Sequence, residues 1–482
     1  MPHPFRLAPS VLVLFAALAS AGGLSAAAQD KAKVFRAGAH AQDITPTKFP
    51  VSVNGGMQDR QATAAHDRLH ARCLVLDDGR TQIALAVCDS CMIPREILDE
   101  AKRRASKATG IPPERMLIAA THTHTAPTVG GVFQSDPDPD YLKYLTEQIA
   151  RGIEKAHANL APARVGWAVG RDPTQVFNRR WKMKPGSIPP DPFGRTTDTV
   201  KMNPGYQAAG LLEPAGPTDP DVSVLSVLAR DGRPIALLAN YSLHYVGGVQ
   251  PLSADYFGAF AERIKQLLEA EKADPPFVGI MSNGTSGDIN NINFGAPAPP
   301  KRAEYEQIRL VADSVAKAAF EAYQQIKHHD WVPLAMAEKE IELGVRLPSE
   351  DDIKRAKEIL NKAQGKGLKT LPEVYARETV LLAKYPPTVK LKLQALRVGE
   401  LGIVAIPCEV FVQIGLEIKK KSPLKPTFTI ELANGYNGYL PTPEQHQWGG
   451  YETWRARSSY LEVDASTKIT ATVLELLAQV SR

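Results

Sequence analysis

The feature that most limits what this chain can fold into is its alternation of short, wholly apolar runs with longer amphipathic ones. "QIALAVCD" (82–89), "MLIAATH" (116–122), "VSVLSVLA" (222–229), "PIALLANYSLH" (234–244) and "FVGIMSNG" (277–284) carry almost no charge. Runs of this length with no polar alternation predict strands buried on both faces. Between them lie stretches with helical spacing: 95–110, which closes on a glycine, then 141–160, 256–273 and 302–327. This order predicts an α/β protein, a mixed sheet with packed helices. Two segments depart from the pattern. Residues 185–220 are rich in Pro and Gly, and so long a loop inside a domain is usually functional or mobile. Residues 350–364 and 371–385 predict two charged helices, followed by a hairpin over 389–409 that turns at Gly399 and Glu400. No internal repeat and no clean linker is visible, so 29–482 is expected to be one large domain.

Residues 1–28 are expected to be a signal peptide. Arg6 precedes the apolar "VLVLFAALA", and "AAA" at 26–28 offers small residues for cleavage near Ala28. The apolar stretch is short of the ~20 residues a membrane span needs. The mature protein is therefore expected to be exported, to the periplasm or the medium. The formal net charge of +5 over 482 residues is too small and too evenly spread to suggest a nucleic-acid partner. The lysines at 419–421 fall on a predicted helix end, where cations suit the dipole. Four cysteines, Cys73, Cys88, Cys91 and Cys408, predict free buried thiols or one disulfide. A structural zinc site would need a second pair spaced like Cys88 and Cys91.

Five segments carry chemistry. "HTHTAP" places His122 and His124 just past a strand; on extended backbone they would face one way, as paired metal ligands or as two satisfied strand-end histidines. His244 ends a second apolar run before glycine, as a site at one sheet edge or a structural ring would have it. Glu409 follows the apolar "LGIVAIP", where a carboxylate is costly unless paired, hydrated or metal-bound; the start of an exposed helix would also suit it. Tyr436, Tyr439 and Tyr451 stand among glycines, either packed or able to donate to an oxyanion. "NGTSGDINNIN" suits a tight substrate loop. It misses the serine-hydrolase elbow, because Asp288 stands where the second glycine after Ser286 is required.

Taken together and in order, these segments resemble the neutral ceramidase family. "GAHAQDITP" (38–46), "HTHTAP", "NYSLH" (240–244), "PCE" (407–409) and "ANGYNGY" (433–439) with Tyr451 are each similar to a motif of that family's amidase domain. The resemblance implies one Zn²⁺ per chain held by His122, His244, Glu409 and Tyr439. His124 would lie beside the ligands, facing substrate. "FNRRW" would supply Arg179, and Tyr451 would face the amide oxygen. The implied reaction is hydrolysis of the amide of ceramide or a related N-acyl lipid by zinc-bound water, with a lipid or small-molecule amide as partner and room for peripheral membrane contact. Three departures stand out. Asn290 occupies the position of a family serine implicated in catalysis, leaving Ser286 as a substitute. Cys408 replaces a glycine. The chain ends in a helix, so no C-terminal immunoglobulin-like domain is expected. Two alternatives stay open: a related zinc hydrolase of a different amide or ester, and an inactive exported binding protein that retains the metal site.

Overall fold

The computed structural model describes residues 33–248, 251–363 and 367–482, with residues 1, 2, 4, 5 and 8. The predicted leader and cleavage site lie almost wholly outside the described residues. Val34–Arg482 forms one unit. Its main element is an eight-stranded mixed sheet. In chain order the strands are β1 (Arg36–Asp43), β2 (His70–Asp77), β3 (Gln82–Cys88), β4 (Met116–Ala120), β5 (Ala161–Arg171), β6 (Asp221–Ala229), β7 (Pro234–Tyr241) and β8 (Val278–Asn283). They lie side by side as β8-β7-β6-β5-β1-β2-β3-β4. A second sheet holds β9 (Leu334–Gly344), β10 (Thr388–Val398), β11 (Leu401–Ala405) and β12 (Thr427–Ile430), in that order.

The apolar runs are explained by burial on both faces. Along β2, Leu74 and Leu76 face the second sheet with Leu396, Ile403 and Phe428. Ala71, Cys73 and Val75 face the other way, against helices α1 (Arg95–Thr109) and α2 (Pro139–Ala158). On β6, Leu225 and Val227 point between the sheets. Val222 and Val224 pack on α3 (Asp255–Leu267) and α4 (Glu306–Tyr323). The outer face of the second sheet is covered by α7 (Val412–Lys421) and α8 (Ala465–Val480). The layers run helix, sheet, sheet, helix.

The eight-stranded sheet is a structural duplication that the sequence does not display. In each half two antiparallel pairings are followed by one parallel pairing. These are β1–β2, β2–β3 and β3–β4 in one half, and β5–β6, β6–β7 and β7–β8 in the other. A helix crosses between the last two strands of each half, and another follows. The halves pair along a short ladder, Arg36 opposite Pro162 and Ala37 opposite Ala161, extended by Ala163 N–H to Phe35 O at 2.9 Å. Even the strand exits match: Thr121 N–H bonds Cys88 O at 2.9 Å, and Gly284 N–H bonds Tyr241 O at 2.8 Å.

Sequence and structure differ where polarity misleads. β1, β5 and β9 were not expected, because their outer residues are exposed and their patterns mixed; β2 and β12 were also missed, though buried, because Arg72 interrupts the one and the other is four residues long with alternating threonines. The predicted helix over 302–327 is shorter, Glu306–Tyr323. The strand expected through His122 stops at Ala120, and His122 has φ 75°. The two imidazoles are thus brought together by a left-handed turn and not by strand alternation. The Pro/Gly-rich segment is in part an antiparallel sheet of Arg180–Met183 flanked by Val200–Met202 and Leu211–Pro214. The charged helices α5 (Glu350–Lys362) and α6 (Leu371–Leu382) both form, each opened by a capping box, Ser349 with Asp352 and Thr370 with Glu373. Between them and Pro190–Pro192–Phe193 runs a groove of about 370 Å³. Among the described residues no helix is long and apolar enough to cross a membrane.

Candidate metal centre

The centre forms where strand exits from both sheets meet. β4 delivers His122, β7 delivers His244, and the turn after β11 delivers Glu409. After β12 the chain runs across the open edges of the large sheet: Glu431 N–H bonds Asn283 O on β8, and Asn434 N–H bonds Ile118 O on β4. This strap leads into Tyr436 and Tyr439. Glu409–Val410 pairs in parallel with Tyr439–Leu440, which sets Glu409 beside Tyr439. Gly287 permits the closest approach: its N–H bonds Val410 O, and a Cβ there would lie 2.6 Å from Glu409 O.

His122 Nε2 lies 3.0 Å from His244 Nε2 and 3.2 Å from Glu409 Oε2, and His244 Nε2 lies 4.0 Å from that oxygen. All three side chains are buried. Their protons are committed elsewhere. His122 Nδ1 donates to Cys91 O at 2.7 Å, and His244 Nδ1 donates to Ser286 O at 3.2 Å. With Nδ1 as the donor, each ring can turn an Nε2 lone pair toward a cation, which would displace the proton that Glu409 otherwise favours on His122. Glu409 Oε2 is buried and receives no hydrogen bond. Three electron-pair donors facing one another call for a cation. Their spacing brackets the roughly 3.3–3.5 Å between ligand atoms around a tetrahedral Zn²⁺ with bonds of about 2.0–2.1 Å. Donor types, spacing and the orphaned oxygen fit such an ion.

His124 Nε2 lies 3.2 Å from His122 Nε2, its ring stacked on Tyr245 at 3.7 Å. Tyr436 donates to Glu409 Oε1 at 3.0 Å. Tyr439 accepts from Arg179 Nη2 at 3.1 Å. Tyr451 stands edge-on to Tyr439, 5.7 Å between centroids. Burial opposes charge throughout. Even so, Glu409 and Cys91 raise His122 well above the ordinary imidazole range, while His122 and Arg179 hold Glu409 below the carboxylate range. Burial, aided by Arg179 and His122, keeps His124 and His244 neutral. Burial and Glu409 raise the Tyr439 and Tyr451 phenols, which stay protonated.

Of the residues singled out from sequence, His122, His124, Glu409, Tyr439 and Tyr451 line one cavity of about 30 Å³, and His244 adjoins it. Arg179 reaches Tyr439, and Ser286 lies behind His244. Asn290 stands apart: its amide donates to Asn203 Oδ1 at 2.9 Å, and its own Oδ1 accepts from Ile292 N–H. The four cysteines are free and buried, with Cys91 Sγ 3.8 Å from His122 Nδ1. Sequence reasoning missed Glu452, which accepts from Arg179 Nε at 3.1 Å and Arg180 Nη1 at 2.5 Å. It also missed Glu431, which ends a short strand, Thr427–Ile430, whose alternate threonines give no apolar run to flag the acid.

The fold and site define a helix–sheet–sheet–helix protein with two histidines and one carboxylate grouped so that they could hold a cation. No family model matches the chain. The neutral ceramidase of Mycobacterium tuberculosis (strain ATCC 25618 / H37Rv) is 22% identical over 484 residues, spanning 85% of this chain and 72% of the relative. Neutral ceramidase from Pseudomonas aeruginosa superposes with a TM-score of 0.69 at 17% identity, over 93% of this chain and 74% of that one. A ceramidase complexed with C2 superposes with a TM-score of 0.71 at 18% identity, over 93% and 75%. The chain has the fold of the neutral ceramidases and resembles one of them in sequence along most of its length.

Proposed function

We propose that this chain is an exported, zinc-dependent amidohydrolase acting on ceramide or a related N-acyl lipid. The observation that carries this reading is the convergence of His122 Nε2, His244 Nε2 and Glu409 Oε2 with their protons committed elsewhere. The ceramidase relatives support the substrate class. His122, His244, Glu409 and Tyr439 would hold the ion, which when bound supplies an acidified water and a polarised carbonyl. The chain's own groups do the rest. Arg179 is held on three sides, by Glu452, Gly287 O and Tyr439. It aims fixed positive charge at the site. Tyr451, a protonated phenol at the cavity wall, can donate to an oxyanion. His124, kept neutral by burial, can accept a proton. The cavity has room for one or two waters and not for an acyl chain. A neighbouring cleft of about 610 Å³ shares Tyr436 and Val132 with it and offers room for the bulk of a substrate.

A second reading, a related hydrolase of another amide or ester, is favoured by Asn290, which bonds Asn203 away from the cavity. The deciding experiment is metal analysis of the purified mature protein, with hydrolysis of labelled ceramides of graded acyl length on the same sample. Stoichiometric zinc with turnover supports the first reading. Zinc with turnover only of other amides or esters selects the second, and zinc with no turnover of either makes this a binding protein. Sequencing the mature N-terminus tests cleavage near Ala28.

A further inference from the structure

Glu431 is fully buried, and among the described residues no cationic side chain bonds its carboxylate. Its three donors lie on the loop that bonds the His244 ring and on the segment that carries Glu409. Oε1 accepts from Ser286 Oγ at 2.6 Å. Oε2 accepts from Ser286 N–H at 3.2 Å and from Val410 N–H at 2.7 Å. Ser286 Oγ lies 3.4 Å from His244 Nδ1, and Ser286 O is the acceptor that fixes this ring's proton on Nδ1. Val410 immediately follows Glu409. One carboxylate thus grips the backbone behind His244 and the backbone beside Glu409. It does so from the strap that joins the two edges of the large sheet.

Burying an ionisable group with so few partners is costly, and such a group persists where it fixes something. Nothing about packing calls for an acid here, since an apolar side chain would fill the same space. We propose that Glu431 is a positioning residue of the metal centre. Through Ser286 it orients His244 and sets its tautomer, and through Val410 it fixes the seat of Glu409. In this arrangement Ser286 serves as the link between carboxylate and imidazole and not as a nucleophile: its hydroxyl proton points to Glu431, away from the cavity. This inference rests on the metal reading above.

The test compares wild type, Ser286→Ala, Glu431→Gln and the double variant. Zn²⁺ affinity is read by competition with a chromophoric chelator, and the visible spectrum is recorded with Co²⁺ in place of zinc. Residues that orient a metal's ligands typically contribute about 10- to 100-fold in affinity. Ser286→Ala, which cuts one arm, should lose about 10-fold. Glu431→Gln, whose one remaining oxygen can keep the Val410 N–H but not accept the Ser286 hydroxyl as well, should lose about as much, and the double variant should be no weaker than either single variant. The Co²⁺ bands should shift in each, with circular dichroism unchanged. Ser286→Ala is the variant that keeps the test sound if Glu431→Gln fails to fold. Unchanged affinity and spectrum in a folded Ser286→Ala protein, or losses that simply add in the double variant, overturn the positioning role while leaving the metal reading intact. A wild-type protein that binds no metal overturns both.

Discussion

Glu452 offers the sharpest energetic test of the site's construction. Its carboxylate is fully buried and is shared between two buried guanidiniums, Arg179 at 3.1 Å and Arg180 at 2.5 Å. Glu452→Ala leaves two cations in the interior without their counter-charge. Breaking a buried pair by removing one partner costs about 3–5 kcal/mol. Arg180 keeps Gln445 Oε1 at 3.0 Å and Gly449 O at 2.7 Å, and Arg179 keeps Gly287 O and the Tyr439 hydroxyl. These dipoles favour the lower end, about 3 kcal/mol, or roughly a hundredfold in the folding equilibrium. Glu452→Gln, which keeps one acceptor, should lose about half as much. The assay is urea unfolding of the metal-free protein followed by tryptophan fluorescence, reading the shift in midpoint at constant slope. Working without metal separates this effect from ligand loss. A cost below about 1 kcal/mol, the range of an exposed ion pair, would refute the view that Glu452 holds the two arginines against desolvation.

Three further outcomes are expected. Glu409→Gln should abolish stoichiometric zinc and hydrolysis together with an unchanged circular dichroism spectrum; zinc retained at one per chain removes Glu409 from the ligand set. Gly55→Ala should displace His124, because Gly55 sits at φ +97° and a Cβ there would lie 2.4 Å from the ring. Misplacing a reacting group by about 1 Å can cost 10²-fold, so turnover should fall about that much while zinc stays bound, and wild-type kinetics would show that His124 does no chemistry. Burial, with Arg72 nearby, lowers His70 to about 4. Between pH 6.5 and about 4 the unfolded chain binds a proton there that the folded one does not, so stability should fall on acidification through that window. Unfolding midpoints of wild type and His70→Gln across pH 4–7 check this: the variant should fall less steeply, and parallel curves contradict it.

Much of the fold could be read locally. The apolar runs became the strands buried on both faces, Gly110 ended α1 in the left-handed conformation, and Gly399 turned the hairpin. Strands with one polar face, β1, β5 and β9, were not legible, because an exposed edge dilutes the period-2 signal. The candidate ligands were visible for a simple reason. An imidazole or carboxylate at the exit of a wholly apolar strand must be desolvated, and that demand is written into a few adjacent residues. Glu452 and Arg180 gave no such signal, since their partnership spans a separation of 272 residues.

The sequence by itself determined most of the apolar strands, the presence and approximate extent of the long helices, and which polar side chains follow those strands. These follow from local hydrophobic spacing and capping chemistry. Only the tertiary structure decided that the exits of β4, β7 and β11 meet, that each ring gives its Nδ1 proton to a carbonyl, and that Asn290 turns away to Asn203. The two halves of the large sheet share a topology with no visible sequence repeat. Pairing geometry constrains backbone hydrogen bonds rather than side-chain identity, and the strap across the sheet's edges brings together residues from both sheets.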